Sequence, residues 1–407
     1  MDLACEAGRI LLENGAEISR VEETMRRIAT HYGVSDDSFF VLSNGFIATA
    51  DSYAYAKFIP IKGTSLDRVV AVNQLSREVE QGQHDLDSLA SQLAAIRRAS
   101  SKPVWEQVLG SAVGSGAFCI VFGGSLSDSL ASFVAGALLW LFVLFVGVPH
   151  LSRIVCNVCG GLLASLLSIV LFRLGFGEHV GNMVVGSIIP LIPGVPFTNG
   201  VRDLANEDYI AGVTRLLDAL LVFVCIALGV ALAFVVDGAL AGSIIELNGM
   251  QTDGFTSAWL IQLAAAFLGT AAFAILFGVP RRYYADCGLC GLVGWALFLF
   301  LFRAGWLTTV GATFFGAVLV ALTARLQSVV RRCPVTVFLV CGIFPLVPGA
   351  GIFWTSYHVV SNHLALATST GFVAFKATVA IALGIIVANE FSRLFVRRKR
   401  RLSSNPT

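Results

Sequence analysis

Residues 130–148, 154–172, 258–279 and 304–324 of this chain contain no Asp, Glu, Lys or Arg. A helix needs about 20 apolar residues to cross the hydrocarbon core of a bilayer, and an unbroken apolar run of that length has no other stable environment. The chain is therefore read as a polytopic α-helical membrane protein. Its composition agrees, with 56% hydrophobic and 13% charged residues against about 25% charged in an average soluble domain. Less regular apolar runs at 104–126, 183–201, 214–236, 285–303, 335–356 and 368–391 bring the expected crossings to ten.

The first hundred residues differ, because they carry most of the acidic side chains. Glu6 and Glu13 interrupt what would have to be the apolar core of a signal peptide, so residues 1–100 are expected to stay in the cytoplasm as a small α+β domain. Apolar residues at helical spacing predict one amphipathic helix over 3–31, and "SFFVLSNGFIATA" and "SYAYAKFIPI", separated by a polar break at Asp51, predict a strand pair. Helices follow at 66–80 and 86–98, the second started by Asp85. No G-x-x-x-x-G-K-[ST] occurs, which argues against an ATP-driven pump. The nine cysteines form no disulfide framework, and Cys156-x-x-Cys159 and Cys287-x-x-Cys290 lack further ligands, so neither a metal nor another cofactor is expected.

At an offset of 155 residues the membrane half falls on itself. "AFCIVFG" meets "AFAILFG", Gly136 and Trp140 meet Gly291 and Trp295, Gly161 meets Gly316, "PLIPG" (190–194) meets "PLVPG" (345–349), and "IALG" recurs at 226 and 381. Each copy holds five expected crossings, an odd number, so the second must enter from the opposite side; residues 101–250 and 251–395 are read as two inverted five-helix repeats. Loop charges give the orientation. Arg153, Arg202, Arg215, Arg281, Arg282, Arg325, Arg331 and Arg332 fall on one side and only Arg173 and Arg303 on the other, which places both termini and the basic tail 396–407 in the cytoplasm.

Each copy breaks one of its own helices. Pro190, Pro193, Gly194 and Pro196 interrupt the fourth crossing, and Pro345, Pro348 and Gly349 the ninth. Proline inside a helix costs about 3 kcal/mol, and freed backbone groups at membrane depth are tolerated only where protein buries them or they line a wet cavity. Paired interruptions at repeat-related positions point to a substrate site, with a simple kink as the alternative. Thr198, Asn199, Arg202 and Asp203 beside the first break, and Thr355, Ser356 and Tyr357 beyond the second, could supply polar contacts; Arg202 could equally mark the cytoplasmic edge. Four further residues are candidates for coupling or charge pairing. Arg215 and Asp218 have i, i+3 spacing for an ion pair, Asp128 is read as a helix cap or proton carrier, and Lys376 lies within the tenth crossing as a functional charge or a snorkelling side chain.

With the stretches "GRILLENGAEISRVEETMRRIA", "FGGSLSD", "PLIPGVPFTNGVRDLANEDYIAGVTRLLDALL", "FGVPRRYY" and "TVFLVCGIFPLVPGAG", the chain resembles the threonine/serine exporter family over nearly its whole length. The resemblance implies a ten-helix carrier of the bacterial inner membrane that exports small hydroxy amino acids in exchange for protons. Related two-component systems imply a dicarboxylate such as succinate as the alternative substrate. The second half departs from the pattern, since "WTSYHVVSN" stands where the first half has its "RDL" charges. An intramembrane hydrolase would need G-x-S-x-G, H-E-x-x-H or paired carboxylates, and a membrane sensor would carry no flux. The expected partners are a small-molecule substrate, protons and the lipid bilayer, with a homo-oligomer open and no nucleic acid.

Overall fold

The computed structural model describes residues 1–34, 38–50, 53–60, 63–242, 245 and 259–403, with side chains up to residue 391. The polar break at Asp51, the boundary between residues 250 and 251 and the last four residues of the tail lie outside the described residues.

The amphipathic pattern that predicts one helix over 3–31 folds as two, α1 (Asp2–Glu13) and α2 (Ile18–His31). The break is local: the Asn14 side chain donates to the Ile10 carbonyl at 2.7 Å, and Gly15 takes φ +82°, a left-handed conformation that ends a helix and favours glycine. The expected strand pair is a three-stranded antiparallel sheet, β1 (Ser38–Leu42), β2 (Gly45–Ala50) and β3 (Tyr53–Phe58), because the first β-rich run turns back on itself at Ser43–Asn44. Phe40, Ile47 and Ala56 share one row of it. Two helices complete the unit, α3 (Leu66–Glu80) and α4 (Leu86–Arg98), and Asp85 caps α4 by accepting from the Ser88 amide at 2.9 Å. Phe39, Val41, Phe46 and Ala48 close one face of the sheet against Leu11, Met25 and Val72 of the helices.

The remainder is helical: α5 (Val104–Val121), α6 (Leu126–Phe142), which runs through a π-helical turn, Val143–Gly147, into α7 (Val148–His150), α8 (Arg153–Arg173), α9 (Val180–Ile188), α10 (Gly194–Ala205), α11 (Tyr209–Ala241), α12 (Trp259–Leu276), α13 (Tyr284–Arg303), α14 (Thr309–Arg331), α15 (Val335–Gly342), α16 (Gly349–Val360) and α17 (Leu364–Ser403). Eight spans among the described residues are long and apolar enough to cross a membrane, and two bent pairs, 180–191 with 194–205 at 64° and 335–346 with 349–360 at 43°, bring the number to ten if each pair is one span. Helix boundaries recur 155 residues apart: Val104–Val121 matches Trp259–Leu276, Gly194–Ala205 matches Gly349–Val360, and α11 and α17 start at Tyr209 and Leu364.

Small residues bring the helices together, as expected where lipid removes any hydrophobic drive between them. A Cβ on Gly229 of α11 would collide with the Val158 carbonyl of α8. The corresponding helices α5 and α12 pack together, with the Phe118 and Phe273 rings 5.0 Å apart. Outside, Leu130, Leu220, Phe300 and Phe375 are exposed, an apolar surface suited to acyl chains. The α+β unit sits on one end of the bundle, where the Leu66 and Asp67 amides donate to the Phe277 and Gly278 carbonyls at 2.9 and 2.8 Å.

Candidate functional site

Both helix breaks have the same backbone construction. A short 3-10 turn places the Ile192 amide on the Ile189 carbonyl at 3.0 Å and the Gly194 amide on Ile192 at 2.9 Å; in the second copy Val347 bonds Phe344 at 3.1 Å and Gly349 bonds Val347 at 2.8 Å. The prolines at 193 and 348 then cap the half-helices α10 and α16. The two breaks face each other. An added Cβ on Gly194 would strike the Phe344 ring, and one on Gly349 would lie 3.3 Å from Ile192 Cδ1.

Their surroundings differ. The first break, from Pro190 to Pro196, walls a cavity of about 650 Å³ between the α+β unit and helices α6, α8, α10 and α11. Asn157, Asn199, Thr214 and the charged Arg153, Arg215 and Asp218 add polar groups, and Trp140, Cys156 and the π-helical turn supply much of the apolar wall. The second break does not line this cavity. Pro348 instead borders a narrow apolar gap with Ile192, Gly194 and Phe197 that has no room for a water molecule. Of the two interrupted segments that point to a substrate site, the first lines this cavity, and the second is turned against the first and packed.

The polar residues of α10 mostly serve the contact with the α+β unit. Asn199 donates to the Gly15 carbonyl at 2.6 Å, and the Ile18 amide donates to Asp203 at 3.2 Å. Arg202 pairs with Glu17 and donates to Thr336 Oγ1 of the second broken crossing at 2.7 Å. Thr198 Oγ1 and Asn199 Oδ1 are buried without a hydrogen-bond partner among the described residues.

The expected Arg215–Asp218 ion pair is not made. Arg215 donates to Asp203 at 2.8 Å and to the Ala16 carbonyl at 2.8 Å, while Asp218 pairs with Arg153 at 2.8 Å. Both residues border the cavity, but the Arg215 guanidinium is directed to Asp203 and the Ala16 carbonyl and Asp218 to Arg153 of α8, so each has a different partner. Asp128 is the third residue of its helix rather than the cap: Ser125 is the cap, and Asp128 completes a capping box. It also accepts from the Glu178 and His179 amides at 2.6 and 2.9 Å and from His179 Nδ1 at 2.9 Å, fastening the loop before α9. Thr355 and Ser356 donate back to the carbonyls of Gly351 and Ile352 in their own helix, at 2.7 and 2.8 Å. Lys376 points out of the bundle over the Phe372 ring, 4.9 Å from its centroid. Gly15, Glu17 and Thr336 carry no local signal of this role, and Cys156 stood out only for its spacing from Cys159, because all four meet the site through contacts distant in the chain.

One family model for threonine/serine exporters matches residues 2–236, spanning the α+β unit, the first break and the cavity wall. The chain belongs to the threonine/serine exporter family. A second model of that description matches residues 262–391. The threonine/serine exporter of Corynebacterium glutamicum is 22% identical over 415 residues, covering 98% of this chain and 84% of that protein. A protein of Mycobacterium tuberculosis named "Probable threonine/serine exporter" is 24% identical over 408 residues, 96% of this chain and 76% of its own length. A distant match, to a protein of Klebsiella aerogenes named "Probable succinate transporter subunit YjjP", is 23% identical over 247 residues, 58% of this chain and 93% of that protein. No solved structure matches.

Proposed function

We propose that this exporter-family protein is a secondary carrier that moves threonine and serine out of the cell in exchange for protons, with the cavity at the first break as its substrate site. One observation carries the reading: the break of α9 and α10 opens onto a cavity of about 650 Å³, inside the range of about 300–1,000 Å³ usual for small-molecule sites. Pro193 and Gly194 start α10 there, so the positive end of a half-helix dipole faces the cavity and suits a substrate carboxylate. The unpartnered Asn199 Oδ1 is an acceptor for an ammonium or hydroxyl group. The α+β unit would lie in the cytoplasm, consistent with its docking on loops rich in arginine, and residues 101–250 and 251–395 would be inverted copies.

A dicarboxylate is the second reading, favoured by the succinate-transporter relative and by Arg153 and Arg215 in the cavity wall. Efflux of threonine, serine and succinate from proteoliposomes, measured side by side with and without an imposed proton gradient, separates the two. The account expects threonine and serine efflux accelerated by the gradient. Efflux of succinate alone would establish the second reading, and none of the three would contradict both.

A further inference from the structure

The turn between α1 and α2 lies along the whole of one face of α10. Gly15 reaches Val195 at the break end, an added Cβ lying 3.3 Å from Val195 Cγ1. The turn then meets Asn199, Arg202 and Asp203, and Ser19 Oγ accepts from Asn206 at 3.3 Å at the far end. From α11, Arg215 adds its bond to the Ala16 carbonyl. A stretch of five residues, 15–19, thus holds a half-helix whose other end is joined to α9 only through the non-helical Ile192–Pro193 link.

We propose that this turn is a lock on α10, and that the half-helix changes its angle at the break, letting substrate pass from the cavity, only when the turn withdraws. Three observations support the lock. The 64° bend supplies a hinge next to the cavity, since a few residues at element ends suffice to absorb such a rotation. The interface is crossed by one buried ion pair, Glu17–Arg202, and the turn adds the Ile18 amide and Ala16 carbonyl to a second, Asp203–Arg215, made between α10 and α11; burying charge is expensive where apolar packing would serve, and its best attested use is to fix a register or a switch. Among the described residues, Asn199 Oδ1 and Arg202 Nε at the same interface, and Thr198 Oγ1 next to them on α10, have no hydrogen-bond partner, although a permanent contact would satisfy nearly all its buried polar groups. Groups of this kind are suited to exchanging partners between two arrangements.

The inference rests on the transport reading, and its test keeps the two apart. Ser19→Cys and Asn206→Cys, neither assigned to the substrate site, are joined by a short reversible bifunctional thiol reagent in proteoliposomes, with each single variant as control. Cross-linking should lower threonine efflux at least about tenfold, within the ordinary range of coupling between sites, and reduction should restore it. Glu17→Gln, which weakens the lock, should raise efflux above the parent. Undiminished efflux from the fully cross-linked protein would overturn the lock, because the turn and α10 would then move as one body. If the uncross-linked variant carries none of threonine, serine or succinate, the transport reading fails by itself. The lock is then read from maleimide labelling of the cavity residue Cys156, which cross-linking should slow several-fold and Glu17→Gln should quicken; unchanged labelling would overturn it.

Discussion

Asn199 Nδ2 lies 2.6 Å from the carbonyl oxygen of Gly15, although 184 residues separate them. This bond ties the half-helix at the first break to the turn between α1 and α2, and puts the α+β unit over the cavity. Gly15 can take the place because its φ of +82° is open to glycine and strained for other residues. Gly15→Val should therefore strain the turn and crowd Val195 together. The expected result is several-fold faster proteolysis at the turn between α1 and α2 in the reconstituted protein, with membrane insertion unchanged.

The two ion pairs near α10 should differ sharply. Arg215 and Asp203 are 6% and 0% exposed, whereas Arg153 and Asp218 are 55% and 37% exposed. Removing one partner of a buried pair costs about 3–5 kcal/mol, and an exposed pair contributes about 1 kcal/mol or less. Asp203→Ala should lower the thermal midpoint in detergent by many degrees, and Asp218→Ala should leave it nearly unchanged. Equal losses would mean that Arg215 relies on Asp218 after all.

The two breaks should also respond unequally to a single methyl group. Gly194→Ala drives its Cβ into Phe344, a ring only 1% exposed and held on all sides, and overpacking of this kind costs about 1–3 kcal/mol. At Gly349 the added Cβ meets the end of Ile192 at 3.3 Å, which can yield, and Ile189 Cγ1 at an ordinary contact distance of 3.8 Å. Threonine efflux should fall strongly in Gly194→Ala, recover in Gly194→Ala with Phe344→Leu, and change little in Gly349→Ala.

Acidification should tighten the docked arrangement. Outside the membrane-spanning segments, burial raises the Glu22 carboxyl of α2 and the Asp208 carboxyl before α11 above their ordinary range, and Asp208 raises Glu22 further; Arg26 and Arg215 offset part of this. A group whose docked value is raised stabilises docking fully below its ordinary value of about 4, and that contribution is lost as pH rises through the raised value. Dipolar broadening between spin labels on Ser19→Cys and Asn206→Cys should increase from neutral to mildly acidic pH. Glu22→Gln should flatten the change.

Periodic and local features were legible in the sequence. Charge-free runs marked the spans, "PLIPG" and "PLVPG" marked both breaks, and Asp85 marked the start of α4, because each depends on residues close together in the chain. What the sequence left open came from contacts between distant segments. The apolar stripe through residues 10–28 continues across Asn14–Gly15 and masks the turn that divides α1 from α2. Arg215 has an acidic neighbour three residues on in Asp218, yet its partner Asp203 is set by the way α10 folds back on α11. The two breaks are alike in their prolines and glycine and differ in the "RDL" charges that follow only the first, yet that the α+β unit covers one of them alone is encoded by no repeat in the sequence.

The central claim is that substrate occupies the cavity at the first break, and native Cys156 in its wall tests this directly. Labelling of Cys156 by a bulky maleimide is followed in proteoliposomes against rising threonine, with Cys156→Ser as the control, and efflux is measured on the same vesicles. The account predicts that threonine slows labelling with the same half-saturation as efflux, and that complete labelling stops efflux in the parent while the Cys156→Ser protein continues. Full-rate threonine efflux from protein completely modified at Cys156 would contradict it.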